Sequence, residues 1–222
     1  NSGGVVTLFS PRNKNGISAE IAGGSFGLFK ESVRYSHANE KNDFTVLQGY
    51  YVNEGYRKNS RMRRFYLQGS NNWRYTKKNE LSLLFFSSSL YYQTPGGLNK
   101  AQFQQDPRQA RQPTATLPGA EDQKAAVYND MLFGGITHSS QISKYVKHVI
   151  SLFASSVDFR NPFITNYEER KEKNIGARTY FIFSSNRAKK ISWEYNIGAE
   201  WQQSKVSVNN YQNRSGDKGA LV

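Results

Sequence analysis

At 222 residues with 37% apolar and 14% aromatic side chains and a mean hydropathy of −0.72, the chain has the length of one large domain but is too polar for a compact core of that size. No window approaches the roughly 18 consecutive apolar residues of a membrane-spanning helix, which excludes helical membrane proteins. Lysine and arginine outnumber aspartate and glutamate by 30 to 17, yet they are scattered without any RNP-like, zinc-finger or helix-turn-helix pattern, so no nucleic-acid partner is expected, and the lack of cysteine removes disulfides and thiolate chemistry.

Nine strands are expected. The first, Gly16 to Gly23, sets Ile17, Ala19 and Ile21 against Ser18 and Glu20, and the bend Gly24-Ser25-Phe26-Gly27 turns it back. The second, Leu28 to Ser36, has Phe29, Val33 and Tyr35 in phase opposite Lys30, Ser32 and Arg34. The third, Phe44 to Val52, ends in Tyr50 and Tyr51, and the fourth, Arg61 to Gly69, places Phe65 and Leu67 opposite Arg64 and Tyr66. The fifth, Glu80 to Tyr92, contains LSLLFF and has no clear phase. Residues 93 to 126, rich in proline and glycine, read as one long loop of the kind that is functional or disordered. The sixth and seventh strands, Tyr128 to His138 and Tyr145 to Ser155, are followed by a second long loop from Ser156 to Asn174, then the eighth strand, Ile175 to Ser184.

The ninth strand carries the most information. From Ile191 to Trp201 the sequence alternates without a slip, with Ile191, Trp193, Tyr195, Ile197, Ala199 and Trp201 on one face and Ser192, Glu194, Asn196, Gly198 and Glu200 on the other. Trp193 and Trp201 are eight residues apart, roughly 26 Å along a strand and about 20 Å along a membrane normal at a tilt near 40°. That is close to the apolar height of an outer-membrane barrel, and Trp193, Tyr195 and Trp201 are its candidate membrane-girdle residues. After the first hairpin the connections at 37 to 43, 71 to 79, 139 to 144 and 185 to 190 read as short and those at 53 to 60, 93 to 126 and 156 to 174 as longer, the pattern of an up-and-down membrane barrel with short periplasmic turns. The expected fold class is therefore all-β: an antiparallel up-and-down transmembrane β-barrel, in part.

The opening GGVVTL, GSFG between two amphipathic strands, GYRKNS after a tyrosine-rich strand, and YYQTPGGLNKAQFQQDPRQAR resemble the early barrel of a TonB-dependent outer-membrane receptor of the ferric-siderophore or ferric-citrate kind. The resemblance implies active import of a ferric chelate across the outer membrane of a Gram-negative bacterium, energised through TonB by way of a plug domain. Residues 1–10 then correspond to the end of the plug, with a last plug strand at Gly4 to Phe9, and 11–222 to the first part of the barrel. Nine strands are fewer than half of the roughly 22 of plugged transporters, so the chain is expected to be part of a longer protein. The lipid and lipopolysaccharide of the outer membrane are implied partners.

No catalytic constellation emerges and no cofactor is implied: the sequence lacks G-x-S-x-G, P-loop and dinucleotide patterns. His37, His138 and His148 have no metal-ligand spacing. The candidate ligand-binding residues are the loop cations Arg57, Lys58, Arg61, Arg108 and Arg111, because guanidinium groups bind carboxylates bidentately and a ferric citrate or carboxylate siderophore presents them. Tyr56, Tyr91 and Tyr92 are expected in the outer aromatic girdle rather than at a mouth, and Glu20, Arg34, Glu194 and Glu200 face inward. A glycan-importing relative of the same receptors and a soluble all-β carbohydrate-binding module stay open as alternatives.

Overall fold

The computed structural model describes residues 15–185 and 192–222. Ten strands follow one another in chain order: β1 (Gly16–Gly24), β2 (Leu28–Ala38), β3 (Asn42–Asn53), β4 (Met62–Trp73), β5 (Asn79–Gln93), β6 (Ala126–Ser143), β7 (Val146–Pro162), β8 (Tyr167–Ser184), β9 (Glu194–Arg214) and β10 (Asp217–Leu221), with one short helix, α1 (Lys100–Gln105), between β5 and β6. All ten form a single antiparallel sheet in which each strand pairs only with its sequence neighbours. Among the described residues no second sheet packs on it and β10 does not pair with β1. That meander is the architecture expected from the sequence, and it removes the packed sandwich on which the soluble-module alternative depends.

The register sorts side chains into two faces. One row runs Ile17, Tyr35, Val46, Gly69, Phe85, Gly134, Ala154 and Ile175 across eight strands. The adjacent row on the opposite face runs Ser18, Arg34, Leu47, Gln68, Phe86, Phe133, Ser155, Asn174 and Ser204. The first face is apolar and open: Ile21, Phe65, Leu132, Leu152, Ile175, Ile197 and Trp201 are all exposed on it. Its polar exceptions are partly self-satisfied, as where Gln48 donates to Glu31 at 2.7 Å. On β9 the register puts Tyr195, Ile197 and Trp201 on the apolar face and Glu194 and Glu200 on the polar one, where Glu200 pairs with Arg178. Ile191 lies outside the described residues.

Aromatic rings ring the short-turn end of the apolar face. Tyr35 meets Phe44, Trp73 meets Tyr75, His148 meets Phe181 and Trp193 meets Tyr195, with centroids 4.6–6.3 Å apart. The histidines belong to this end too, His138 hydrogen-bonding Tyr75 and His148 bonding Thr179. The unclear phase of the fifth strand has a physical cause. Leu81, Leu83 and Phe85 lie on the apolar face, but Leu84 and Phe86 join Phe133 and Phe153 in an apolar patch on the polar face, so β5 is greasy on both sides.

Three expectations are corrected. Among the described residues there are ten strands, not nine. The long loop expected from Ser156 to Asn174 is strand: β7 continues to Pro162 and β8 starts at Tyr167, leaving a four-residue turn, so the strict alternation of short and long connections fails there. The charged run Glu168 to Lys173 reads as loop because both faces carry charge, yet most of those charges are paired along the strand, Arg170 with Glu168 and Glu172, and Lys171 with Glu169. Likewise β9 continues past Val206 to Arg214 and turns at Ser215-Gly216 into β10. The plug strand expected at Gly4 to Phe9, the plug junction at 1–10, and most of the turn at 185 to 190 lie outside the described residues.

Candidate ligand site in the loop cap

The connections 25–27, 54–61, 94–125, 163–166 and 215–216 gather at one end of the sheet, and the fully buried side chains gather with them. Ala110, Ala120 and Ala125 from the longest connection pack with Ile164 from the turn between β7 and β8, forming a small core built entirely from loops. Small residues suit it, since they let backbones approach closely enough to bond: Ala120 N–H donates to Arg111 C=O at 3.0 Å and Ala125 N–H to Ala120 C=O at 2.9 Å. Helix α1 is anchored by a capping box, Asn99 accepting from Gln102 N–H and Gln102 accepting from Asn99 N–H. Asn59 donates to the carbonyls of Thr94 and Ala125, and Asn213 to those of Gln123 and Phe163. The cap is thus cross-tied through backbone carbonyls, one of which, Ala125 C=O, also accepts from Thr94 N–H at 2.9 Å.

Three of the five candidate cations converge in it. Arg57 lies beneath, donating Nε and Nη2 to Gln109 C=O at 3.1 and 2.9 Å, with Gln109 itself buried. Lys58 binds Arg108 C=O through its backbone N–H at 2.7 Å and leaves its side chain exposed. Arg108 donates Nε to Tyr56 C=O at 3.3 Å and lies 5.5 Å from the Tyr56 ring and 5.9 Å from the Phe26 ring. Gly55, Tyr56, Arg57, Lys58, Asp106 and Arg108 line a recess of about 490 Å3, in the range of small-molecule sites. Asp106 accepts from Arg108 N–H at 2.8 Å, so the recess holds three cations against one carboxylate. The other two candidates go elsewhere. Arg61 turns to Glu54 at 3.3 Å, and Arg111 lies over Gly96, whose φ of +72° and missing Cβ make room for it.

Phe26 is the residue that sequence reasoning passed over. It sits in the turn between β1 and β2 with φ +59°, next to Gly27 at +66°, the doubly left-handed conformation of a tight type I′ hairpin. A phenylalanine there is an outlier. It is held by an edge-to-face contact with Tyr56 at 5.5 Å, by Arg108 over its ring, and by Glu54 N–H donating to its carbonyl at 2.8 Å. The only available signal was its place between two glycines. Tyr56 therefore belongs to this cluster and not to the girdle. Tyr91 does stand on the apolar face, 4.8 Å from Tyr128, whereas Tyr92 turns to the polar face.

No family model matches the chain, and no curated protein sequence matches it. Solved structures do. The chain superposes on the ferric citrate transporter FecA in its unliganded form with a TM-score of 0.71 at 14% identity, over 92% of this chain and 30% of that one. The siderophore receptor PiuA from Acinetobacter baumannii gives 0.70 at 10%, over 91% and 32%. The open form of the ferric-catecholate import receptor Fiu from E. coli K12 gives 0.71 at 11%, over 96% and 39%. The chain thus has the fold of part of these receptors' barrels and spans about a third of their length.

Proposed function

We propose that this chain forms part of the barrel of an outer-membrane receptor that imports a ferric siderophore or ferric citrate, energised through TonB. The observation that carries the reading is the ten-strand meander with one continuous apolar face, superposable on barrels of three ferric-chelate receptors over more than nine-tenths of its length. The apolar face then meets lipid and the polar face meets the lumen, where a plug would face Glu20, Arg34, Glu194 and Glu200. The loop cap lies at the extracellular end, because it holds the longer connections. Its recess supplies what an anionic chelate needs: among the described residues, no partner engages the Lys58 ammonium, and Arg108 keeps both terminal nitrogens after spending Nε on the backbone. Arg57 positions the recess, since two of its donors are already committed to Gln109 C=O.

Equilibrium binding to the full-length protein tests this with ferric citrate and a neutral ferric chelate. Replacing Lys58 and Arg108 by alanine is expected to weaken ferric citrate binding about tenfold or more, with a smaller loss at high ionic strength, and to leave the neutral chelate unaffected. Arg111→Ala is expected to have little effect. Equal affinity for both chelates in wild type and double variant would remove the recess from the binding site and favour a glycan cargo.

A further inference from the structure

Five cations line one recess at the end of the sheet opposite the loop cap. Lys41 comes from the turn between β2 and β3, Arg74, Lys77 and Lys78 from the turn between β4 and β5, and Lys147 from the start of β7, around a volume of about 530 Å3 that also meets Glu40 and Glu80. The strands that hold these turns, β3 to β7, are each paired on both edges.

The walls of the recess are tied together across the turns. Arg74 donates its backbone N–H to Lys41 C=O at 2.7 Å, Nε to Glu40 C=O at 2.8 Å and Nη2 to Asn39 C=O at 2.9 Å, which fastens the second turn to the first. Gln141 N–H donates to Lys78 C=O at 2.7 Å and fastens the end of β6 to the same turn. Within the turns, Asn39 Oδ1 accepts from Lys41 and Asn42 N–H, and Thr76 Oγ1 from Lys78 and Asn79 N–H. Arg74 and Glu80, 3.8 Å apart, thus belong to the frame. Among the described residues no ion pair or hydrogen bond engages the ammonium groups of Lys41, Lys77, Lys78 and Lys147. A lysine on a wet turn needs no partner, but four around one braced recess, with only the Glu40 carboxylate uncommitted against them, focus a positive potential there.

Two features select the occupant. Glu80 pairs with Ser139 and Gln141 with Lys147 on the polar face, so the recess opens away from the surface that the barrel reading gives to lipid. The cations also spread across the sheet: β3 and β7 are separated by β4, β5 and β6, about 19 Å at about 4.8 Å per strand spacing. One small anion cannot reach across that width, whereas about six residues of extended chain, at about 3.3 Å each, can.

We propose that this recess docks an acidic, extended segment of a periplasmic protein. The proposal rests on the outer-membrane barrel reading above, which places the short turns in the periplasm. Complementary charge across the recess would set the on-rate and the choice of partner.

Fluorescence anisotropy of fluorescein-labelled hexaglutamate with the full-length protein in nanodiscs of zwitterionic lipid tests it. Wild type is expected to bind the peptide, more weakly as ionic strength rises. Lys77→Gln/Lys78→Gln/Lys147→Gln is expected to bind about tenfold more weakly and Lys77→Arg/Lys78→Arg/Lys147→Arg as wild type does, while Lys100→Gln/Lys173→Gln/Lys205→Gln, which removes the same charge toward the loop cap, should be unchanged. Absence of binding by the embedded wild type would overturn the site, as would an equal loss in both glutamine variants. Displacement by an equal concentration of pyrophosphate would overturn it in favour of a small anion, and loss of peptide binding when the discs contain phosphatidylglycerol in favour of lipid headgroups. Heat-modifiable gel mobility reports the folding of each variant separately. Failure of the wild type to embed would overturn the barrel reading, whereas an embedded barrel indifferent to Lys77, Lys78 and Lys147 would overturn this site alone.

Discussion

Ile197→Arg tests which face meets lipid. Ile197 is exposed on the apolar face of β9, midway between Trp193 and Trp201, four residues from each. Four residues correspond to about 13 Å along a strand and, at a tilt near 40°, about 10 Å along the membrane normal. An arginine there would have to carry its charge most of that distance along its stem to reach either interface, beyond comfortable snorkelling range. The expected cost is about 2 to 4 kcal/mol, the range for a cation near the bilayer midplane. Two controls sharpen the reasoning. Asn196→Arg is one residue away on the polar face, with Glu194 and Glu200 along the same face, and should change stability by no more than about 0.5 kcal/mol. Gln203→Arg, on the apolar face above Trp201, should cost about 0 to 1 kcal/mol, as near an interface. Urea unfolding of the full-length protein in phospholipid vesicles, followed by tryptophan fluorescence, gives the three values. If Ile197→Arg and Asn196→Arg agree within about 0.5 kcal/mol, the face assignment fails.

Gly55→Ala should loosen the loop cap: Gly55 has φ +85°, and a Cβ there would stand 2.6 Å from the Ser60 carbonyl oxygen, adding a clash to the roughly 1 to 2 kcal/mol of left-handed strain. Faster tryptic cleavage after Arg57 and Lys58 would register it, while Gly97→Ala, whose Cβ meets nothing within 4 Å, should cleave at the wild-type rate. The hairpin of β9 and β10 should respond to pH through Glu169 and Lys218, 3.0 Å apart. The hydrogen bond from Lys218 holds the Glu169 carboxyl below its ordinary 4.5, so its contribution is present above that value and lost as pH falls through the lowered one. The same bond raises Lys218 above 10.5, so its contribution is present below that value and lost as pH rises through the raised one. A spin label at Ser215→Cys, in a chain without native cysteine, should report greater mobility in Lys218→Gln than in wild type at neutral pH and no difference in strong acid. An unchanged difference in acid would detach the hairpin from this pair.

The fold was legible wherever one face of a strand is apolar and the other polar, because there every second residue keeps the same character. Tyr195 to Trp201 alternates strictly, and the structure keeps that phase across the whole apolar face. Beyond the apolar band both faces are wet, the constraint vanishes, and strand and loop become indistinguishable by period. Glu168 to Lys173 therefore reads as loop although it lies within β8, and β9 beyond Val206 fades for the same reason. LSLLFF fails in the opposite sense, through an apolar patch on the second face. In the cap, residue type identified Arg57, Lys58 and Arg108 as cations able to meet an anion. That Arg57 is committed to a backbone carbonyl and Arg61 to Glu54 follows from contacts between segments far apart in sequence, which no local pattern encodes.

The same contacts explain how three cations are kept close together without a matching set of carboxylates. Arg57 is stabilised by the Gln109 carbonyl dipole and Arg108 by the Tyr56 carbonyl and two ring faces, while the Lys58 side chain is exposed to solvent. Carbonyl and ring partners stabilise a cation without cancelling its charge, so the recess keeps its positive potential, which pairing with acids would have removed. The arrangement also couples the charge to the order of the cap, because Arg108 joins the connection after β5 to those after β1 and β3 through Phe26 and Tyr56. An anion that drew the Arg108 guanidinium off the rings would compete with the contacts holding the three connections together. One that bound its two terminal nitrogens while Nε stayed on the Tyr56 carbonyl would reinforce them. The geometry favours the second case, since the end-on edge formed by the two terminal nitrogens of a guanidinium faces away from the Nε–H and both can be satisfied together.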